Sequence, residues 1–450
     1  MSAFEIKNIR LFILFRICFN ARFYYPIFTI LFLDYGLTLE QFGILNGVWA
    51  ISIVVLEIPS GALADTLGRK KLLVFASFAM MFEMLLILFA PIESGWTFSF
   101  FLINRMISGA AEAAASGADE ALAYDSIKQV GLADQWDRVL ELTMRWKSFA
   151  YVIALSLGAV VYDAEFLNHC FSTLGFNLEL SSLFTLRIPI ALTLLLSFGA
   201  IYSSCSMKEI SDYKGYSSSN VQILNTSKMS TAWTKTIQAG SWILHTPIAF
   251  SVILAGLLMD HVVRLILTIN SEFMRLISLP EATFGVIGAV MASMGILVPK
   301  LSRYLANNKS LVINYFIVAS LVGFGLFGMS MFGKFWGILP MAFLYIAMGM
   351  TAFFVSFYLN KVTDSSERAT VLSFRGLSYN LGYGFVGLSY SLLVYQIRKN
   401  TQGETLEKNI DDLVFIQSFQ WIFPYYCLCF LFATLYCNYR LKKSSSPKKI

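Results

Sequence analysis

Ionisable side chains sit inside stretches otherwise built of Leu, Ile, Val, Phe and Ala, and these are the residues with which the chain could do chemistry. Holding such a group in hydrocarbon costs about 3 kcal/mol or more, so one that persists faces a cavity or a partner. Between residues 98 and 124, Arg105, Gly109, Glu112, Ser116 and Asp119 recur at steps of four and three, followed by Glu120, a spacing that stacks them on one face of a helix. Glu112 falls near the middle of that stretch with Arg105 about two turns away, a separation suited to a proton relay or to a solute that bridges both groups. Glu112 is the first candidate for proton coupling; a static Arg and Glu network holding helices together is the alternative. Asp119 and Glu120 lie closer to the end of the stretch, where they can reach water.

Two other apolar stretches carry comparable groups. Near the N-terminus, Asn20, Arg22, Tyr24, Tyr25 and Pro26 are close to mid-membrane; the Arg22 guanidinium suits an anionic group on a solute, or else pairs with Glu57 or Glu83 of the next two stretches. Asp260 and Arg264 stand four apart in the order that favours an ion pair along one helix, with His261 between them. Arg375, Tyr379 and Asn380 share a helical face further on, and Tyr379 and Asn380 are weaker cavity candidates. The three histidines are separated and there is no HExxH, GxSxG or phosphate loop, so no catalytic residue, metal ligand or cofactor is expected and an enzyme is disfavoured.

The elements that position these groups are membrane helices. With 57% hydrophobic and 14% charged residues, the chain is far more apolar than a soluble domain, in which about a quarter of residues are charged. A hydrocarbon core about 30 Å thick takes roughly 20 apolar residues per helix. Twelve such spans fit, near 11 to 33, 41 to 63, 72 to 90, 98 to 124, 141 to 162 and 184 to 205, then 244 to 271, 283 to 299, 311 to 332, 337 to 360, 370 to 396 and 413 to 439. The fold expected is all-α, with twelve transmembrane helices in two pseudo-symmetric six-helix bundles. Residues 1–205 form the first bundle, the Ser, Lys, Thr and Asn-rich segment 206–243 a cytoplasmic linker, and 244–450 the second bundle with a basic tail.

Lys and Arg concentrate in the loops that lie on the same side as both termini, which places the termini in the cytoplasm. That asymmetry accounts for the net charge of +6, with Lys442, Lys443, Lys448 and Lys449 in the tail, and leaves no basic face for nucleic acid. The six cysteines lack disulfide or zinc spacing, and no cleavable signal peptide is expected ahead of the first span. Neither glycosylation sequon, at Asn225 or Asn308, falls in an outer loop, which is compatible with a bacterial inner membrane.

The loop between spans two and three, Gly61 to Lys71, holds one acid and three bases in a glycine-permitted turn that cannot sit in hydrocarbon. A shift of 234 residues lays Gly61, Asp65 and Arg69 on Gly295, Pro299 and Arg303 and the start of span one on the start of span seven, the pattern of two parallel halves. This loop, through Gly61, Leu63, Asp65, Gly68, Arg69 and Lys70, resembles the signature between helices two and three of the major facilitator superfamily, and Arg105 with Gly109 is similar to its fourth-helix motif. Ser156 to Tyr162 lacks the glycine-rich Gly-Pro run of the family's antiporters.

The resemblance implies a secondary transporter whose two bundles rock about a central site, with protons and a small organic, in one reading anionic, solute as its partners. Efflux of a drug-like or metabolite compound by antiport is the second reading, and lipid transport on the same fold the third. It implies a cytoplasmic gate in which Asp65 faces a helix N-terminus near Arg368 to Ser373 while Arg69 pairs with an acid such as Asp125. Lipids are the other expected neighbours, and the chain is expected to act as a monomer.

Overall fold

A computed structural model of the chain describes residues 2–176, 179–210, 234, 237–238, 240–294, 297–362, 368–401 and 410–445. The expected Gly295, residues 211–233 of the linker, the side chain of Asp65 and the tail lysines lie outside the described residues. Among those described there is no strand. The helices are α1 Lys7–Asn20, α2 Phe28–Asp34, α3 Leu39–Leu67, α4 Arg69–Leu88, α5 Thr97–Ala115, α6 Ala118–Gln129, α7 Trp136–Tyr162, α8 Ala164–Thr173, α9 Ser182–Thr185 and α10 Ile188–Ser206. They continue as α11 Pro247–Leu276, α12 Phe284–Ser293, α13 Val298–Asn308, α14 Leu311–Met329, α15 Leu339–Val362, α16 Arg368–Thr401, α17 Ile410–Gln420 and α18 Ile422–Ser445.

Helix is the only answer open to these apolar stretches, because hydrocarbon supplies no partner for backbone N–H and C=O groups. Ten helical stretches among the described residues are long and apolar enough to cross a membrane. The stretches at 97–129 and 368–401 complete the twelve spans; they fall short on apolarity, and they hold Arg105, Glu112, Arg375 and Asn380.

Two spans are broken where their candidate residues sit. Span one stops at Asn20 and restarts at Phe28, with Tyr24, Tyr25 and Pro26 in a short 3-10 turn between, since Pro26 has no N–H to carry the helix on. Span four turns at Gly117, whose φ of 73° favours glycine, so α5 and α6 are separate helices and the expected single polar stripe from Arg105 to Asp119 does not run on one helical face. Along it, Arg105, Gly109 and Asp119 are buried while Glu112 and Ser116 are exposed.

The chain forms two compact units. The first comprises Met1–Leu37, Val48–Trp233 and Pro280–Ala289, the second Thr38–Gly47, Thr234–Leu279 and Val290–Ile450. Segments 38–47 and 280–289 thus pack away from the half to which a division at the linker would assign them. In the first unit α4 packs on α5 and α10, and α1 on α7 and α10. Ala76, Ala79, Ala111, Ala114 and Ala115 let backbones approach around Phe12, Phe15, Leu73 and Met80, as small residues do between helices in lipid. In the second unit α11 packs on α15, α16 and α18, and α14 on α15. There Glu40 of α3 pairs with Arg398 of α16, which also meets Asp411 of α17 at 2.7 Å.

Candidate functional site

In the first unit the break in span one presents Arg22. Its neighbour Phe23 donates its N–H to Thr193 Oγ1 at 3.0 Å, and Gly158 of α7 lies against the Phe23 carbonyl, so the turn is fixed from two sides. Arg22 does not reach into open space: it is buried and forms an ion pair with Glu83 of α4, which is fully buried. Asn104 donates to the Glu83 carbonyl at 2.8 Å and holds that helix turn in place. Of the two partners the residue types allowed, the structure selects Glu83.

Arg105 is also engaged. Its guanidinium lies 5.3 Å from the ring centroid of Phe28 and 5.3 Å from that of Trp49, where cation–π attraction offsets part of the cost of burial. Asp119 pairs with Arg16 of α1, which meets Glu120 at 2.6 Å as well. The pair ties the start of α6 to α1, whereas the spacing placed Asp119 and Glu120 toward water.

What remains accessible in this unit is acidic and aromatic. Glu112 is exposed, and the charges of Arg22, Glu83, Lys147 and Asp119 act on it. Glu57 is half-buried and lies in the field of Glu112. Neither carboxylate has a hydrogen bond or ion pair to a base among the described residues, and Glu57 Oε2 is buried without a partner. Tyr25, 41% exposed, feels the Glu112 charge and meets Tyr151 edge-on at 6.4 Å.

The loop after α3 is organised around Gly68, whose φ of 101° favours glycine. Arg69, first residue of α4, pairs with Asp125 of α6 and donates to the Ala121 carbonyl at 3.0 Å. The carboxylate of Glu209 accepts from the N–H groups of Arg69 at 3.2 Å and Lys70 at 2.8 Å, an acid at the positive end of a helix. Nearby, Asn8 of α1 exchanges hydrogen bonds with the backbone of Lys208, so the chain leaving α10 is held at two successive residues.

In the second unit four of the candidates come together between α11 and α16. Asp260 and Arg264 form the ion pair at 2.7 Å, and Arg264 also donates to Asn380 Oδ1 at 3.0 Å and lies over the Tyr383 ring. Tyr379 stands beside them in the fields of Asp260, Arg375 and Arg264. His261 is held at both ring nitrogens, by the Leu257 carbonyl at 2.7 Å and Tyr425 OH at 3.1 Å, the arrangement of a structural histidine.

Residues 11–133 match the family model described as Major Facilitator Superfamily. Among solved structures, the chain superposes with a TM-score of 0.72 on a bacterial homologue of the human lysosomal transporter Spinster, at 14% identity over 99% of both chains. The nucleoside transporter NupG gives 0.66 at 13% identity over 99% of this chain and 100% of that one, and a D-xylose-proton symporter 0.63 at 13% over 96% of both. The likeness to this family is thus one of sequence over residues 11–133 and of fold over nearly the whole chain. No curated protein sequence matches it.

Several contacts were not singled out from the sequence. Arg16 and Lys147 fall inside expected spans, and the ruler that flagged Arg22 would have flagged both. Glu209 carried no signal, being one acid just past a span, and the stacking of Phe28 and Trp49 on Arg105 depends on helix packing.

Proposed function

We propose that the protein is a secondary active transporter that moves a small organic solute across the membrane by alternating access, coupled to protons through Glu112. The observation that carries this reading is the pair of carboxylates Glu57 and Glu112, with Glu57 in the field of Glu112 and neither matched to a base among the described residues. A proton arriving on either one removes a like-charge repulsion, so proton occupancy changes the energy of the arrangement around it. Arg22, Glu83, Lys147, Asp119 and Tyr25 are the other titratable groups that face Glu112. Arg69 with Asp125 is the latch of the cytoplasmic gate in this reading, with Gly61, Asp65, Gly68 and Lys70 as its other parts and 206–243 as a linker. Both termini are cytoplasmic, the membrane is a bacterial inner membrane and the working unit is a monomer.

The test is flux. The full chain in proteoliposomes, with a proton gradient imposed, is offered amino acids, sugars, nucleosides, carboxylates, amphiphilic cations and a labelled lipid. At least one water-soluble compound is expected to accumulate above its equilibrium level, and a protonophore to abolish that accumulation. Movement of the lipid alone, or solute flux that ignores the protonophore, contradicts the proposal.

A further inference from the structure

Burying a charge in a membrane protein demands an opposite charge, and that demand is met unevenly among the described arginines of the spans. Arg22 has Glu83, Arg16 has Asp119 and Glu120, Arg264 has Asp260, and Arg105 lies between two rings. Arg375 of α16 has neither an ion pair nor a hydrogen bond among the described residues. It is half-buried, with its guanidinium carbon 6.0 Å from the centroid of the Tyr379 ring. Asp260 lies in its field, but Oδ2 of that carboxylate faces Arg264 at 2.7 Å, and Arg264 donates in addition to Asn380 Oδ1. Two guanidinium groups therefore share one carboxylate, and the cluster holds a surplus positive charge.

A second observation points the same way. Tyr379 is only 9% exposed and its hydroxyl has no hydrogen-bond partner among the described residues. The hydroxyl lies against Gly256, one turn before Asp260 on α11, in space that any Cβ at 256 would take. Behind it Tyr315, 7% exposed, has a hydroxyl that is likewise without a partner. Leaving a buried hydroxyl unsatisfied costs about 1–3 kcal/mol, so a donor held this way is explained by an acceptor that comes and goes.

We propose that Arg375 and the Tyr379 hydroxyl form a carboxylate-binding subsite in the second unit, which takes the anionic end of the solute. The guanidinium fork donates two parallel N–H···O bonds to a carboxylate, and the phenol supplies a third donor. Neutralising the surplus charge is what makes the binding favourable in a site of low dielectric. Arg22, an anion-binding candidate by residue type, is excluded from this role by Glu83. The inference rests on the transport reading for its purpose, but not for its test.

The test is ligand-induced stabilisation of the purified full chain in detergent, read as the melting temperature at constant ionic strength. Acetate, benzoate and succinate are titrated against benzamide and chloride. A saturable rise with at least one carboxylate, and none with benzamide or chloride, is expected. Arg375→Gln should weaken the apparent affinity about tenfold or more, Arg375→Lys and Tyr379→Phe by less, and the exposed Arg303→Gln not at all. If Arg375→Gln does not fold, Arg375→Lys and Tyr379→Phe carry the comparison. No saturable carboxylate effect, an equal effect of benzamide, or an affinity indifferent to residues 375 and 379 overturns the subsite. That failure would leave proton-driven flux untouched, and a failed flux screen would leave this binding measurable.

Discussion

Replacing Glu83 with Ala is expected to destabilise the protein by about 3–5 kcal/mol, because it strands the Arg22 guanidinium in a fully buried site. Arg22 is 4% exposed and Glu83 0%, so neither water nor a rearranged side chain can take over the lost charge. Part of the stacking on Phe19, 5.4 Å from the guanidinium, survives but cannot replace a carboxylate. The double variant Arg22→Met with Glu83→Leu removes both charges and restores an apolar fit, and is expected to regain most of the loss. Reversible unfolding in mixed micelles measures both. A Glu83→Ala protein as stable as the parent, or a double variant no better than the single one, would show that the pair does not hold the broken span in place.

Introducing Val at Gly158 is expected to disrupt the same turn from the other side. A Cβ at 158 would overlap the carbonyl oxygen of Phe23 and come within 2.6 Å of its carbonyl carbon. The obstacle is backbone, and Phe23 is anchored through its N–H on Thr193, so neither partner can swing aside. Overpacking of this kind costs about 1–3 kcal/mol, with Val at or beyond the upper end and Ala below it. Gly61 is the control within the signature loop: a Cβ there meets nothing within 4 Å, and Ala at a helical position is better than Gly by up to about 1 kcal/mol. The expected order of stability is Gly61→Ala at or above the parent, then Gly158→Ala, then Gly158→Val. Equal stability of the three would mean that α7 does not press on the turn.

The residues that could be read correctly from sequence are those whose partners lie nearby on the same helix or in the same motif. Asp260 and Arg264 are one turn apart, so their ion pair follows from helical geometry alone. The pairing of Arg69 with Asp125 was legible because the loop resembles a motif whose architecture supplies the distant partner. Ten of the expected spans were legible because apolar length is a property of the chain itself.

Partners on different helices were not determined, since helix register is set by packing. Glu57 and Glu83 were equal as partners for Arg22 until α4 was seen to carry Glu83 inward. Nor did an apolar-length ruler see the breaks at Tyr24 to Pro26 and at Gly117, although Pro and Gly are their physical causes. Those breaks matter most for the site: one presents Arg22 to Glu83, the other separates Asp119 from the helix that bears Glu112.

The central claim is that a proton carried at Glu112 drives the solute. It is tested most directly by comparing net and exchange flux in proteoliposomes of Glu112→Gln, using the compound that the flux screen returns. A side chain that mimics the protonated state and cannot release a proton is expected to abolish accumulation driven by the proton gradient. Exchange of labelled for unlabelled solute, which requires no proton release, is expected to persist. Gradient-driven accumulation at the parent level in Glu112→Gln would contradict the account.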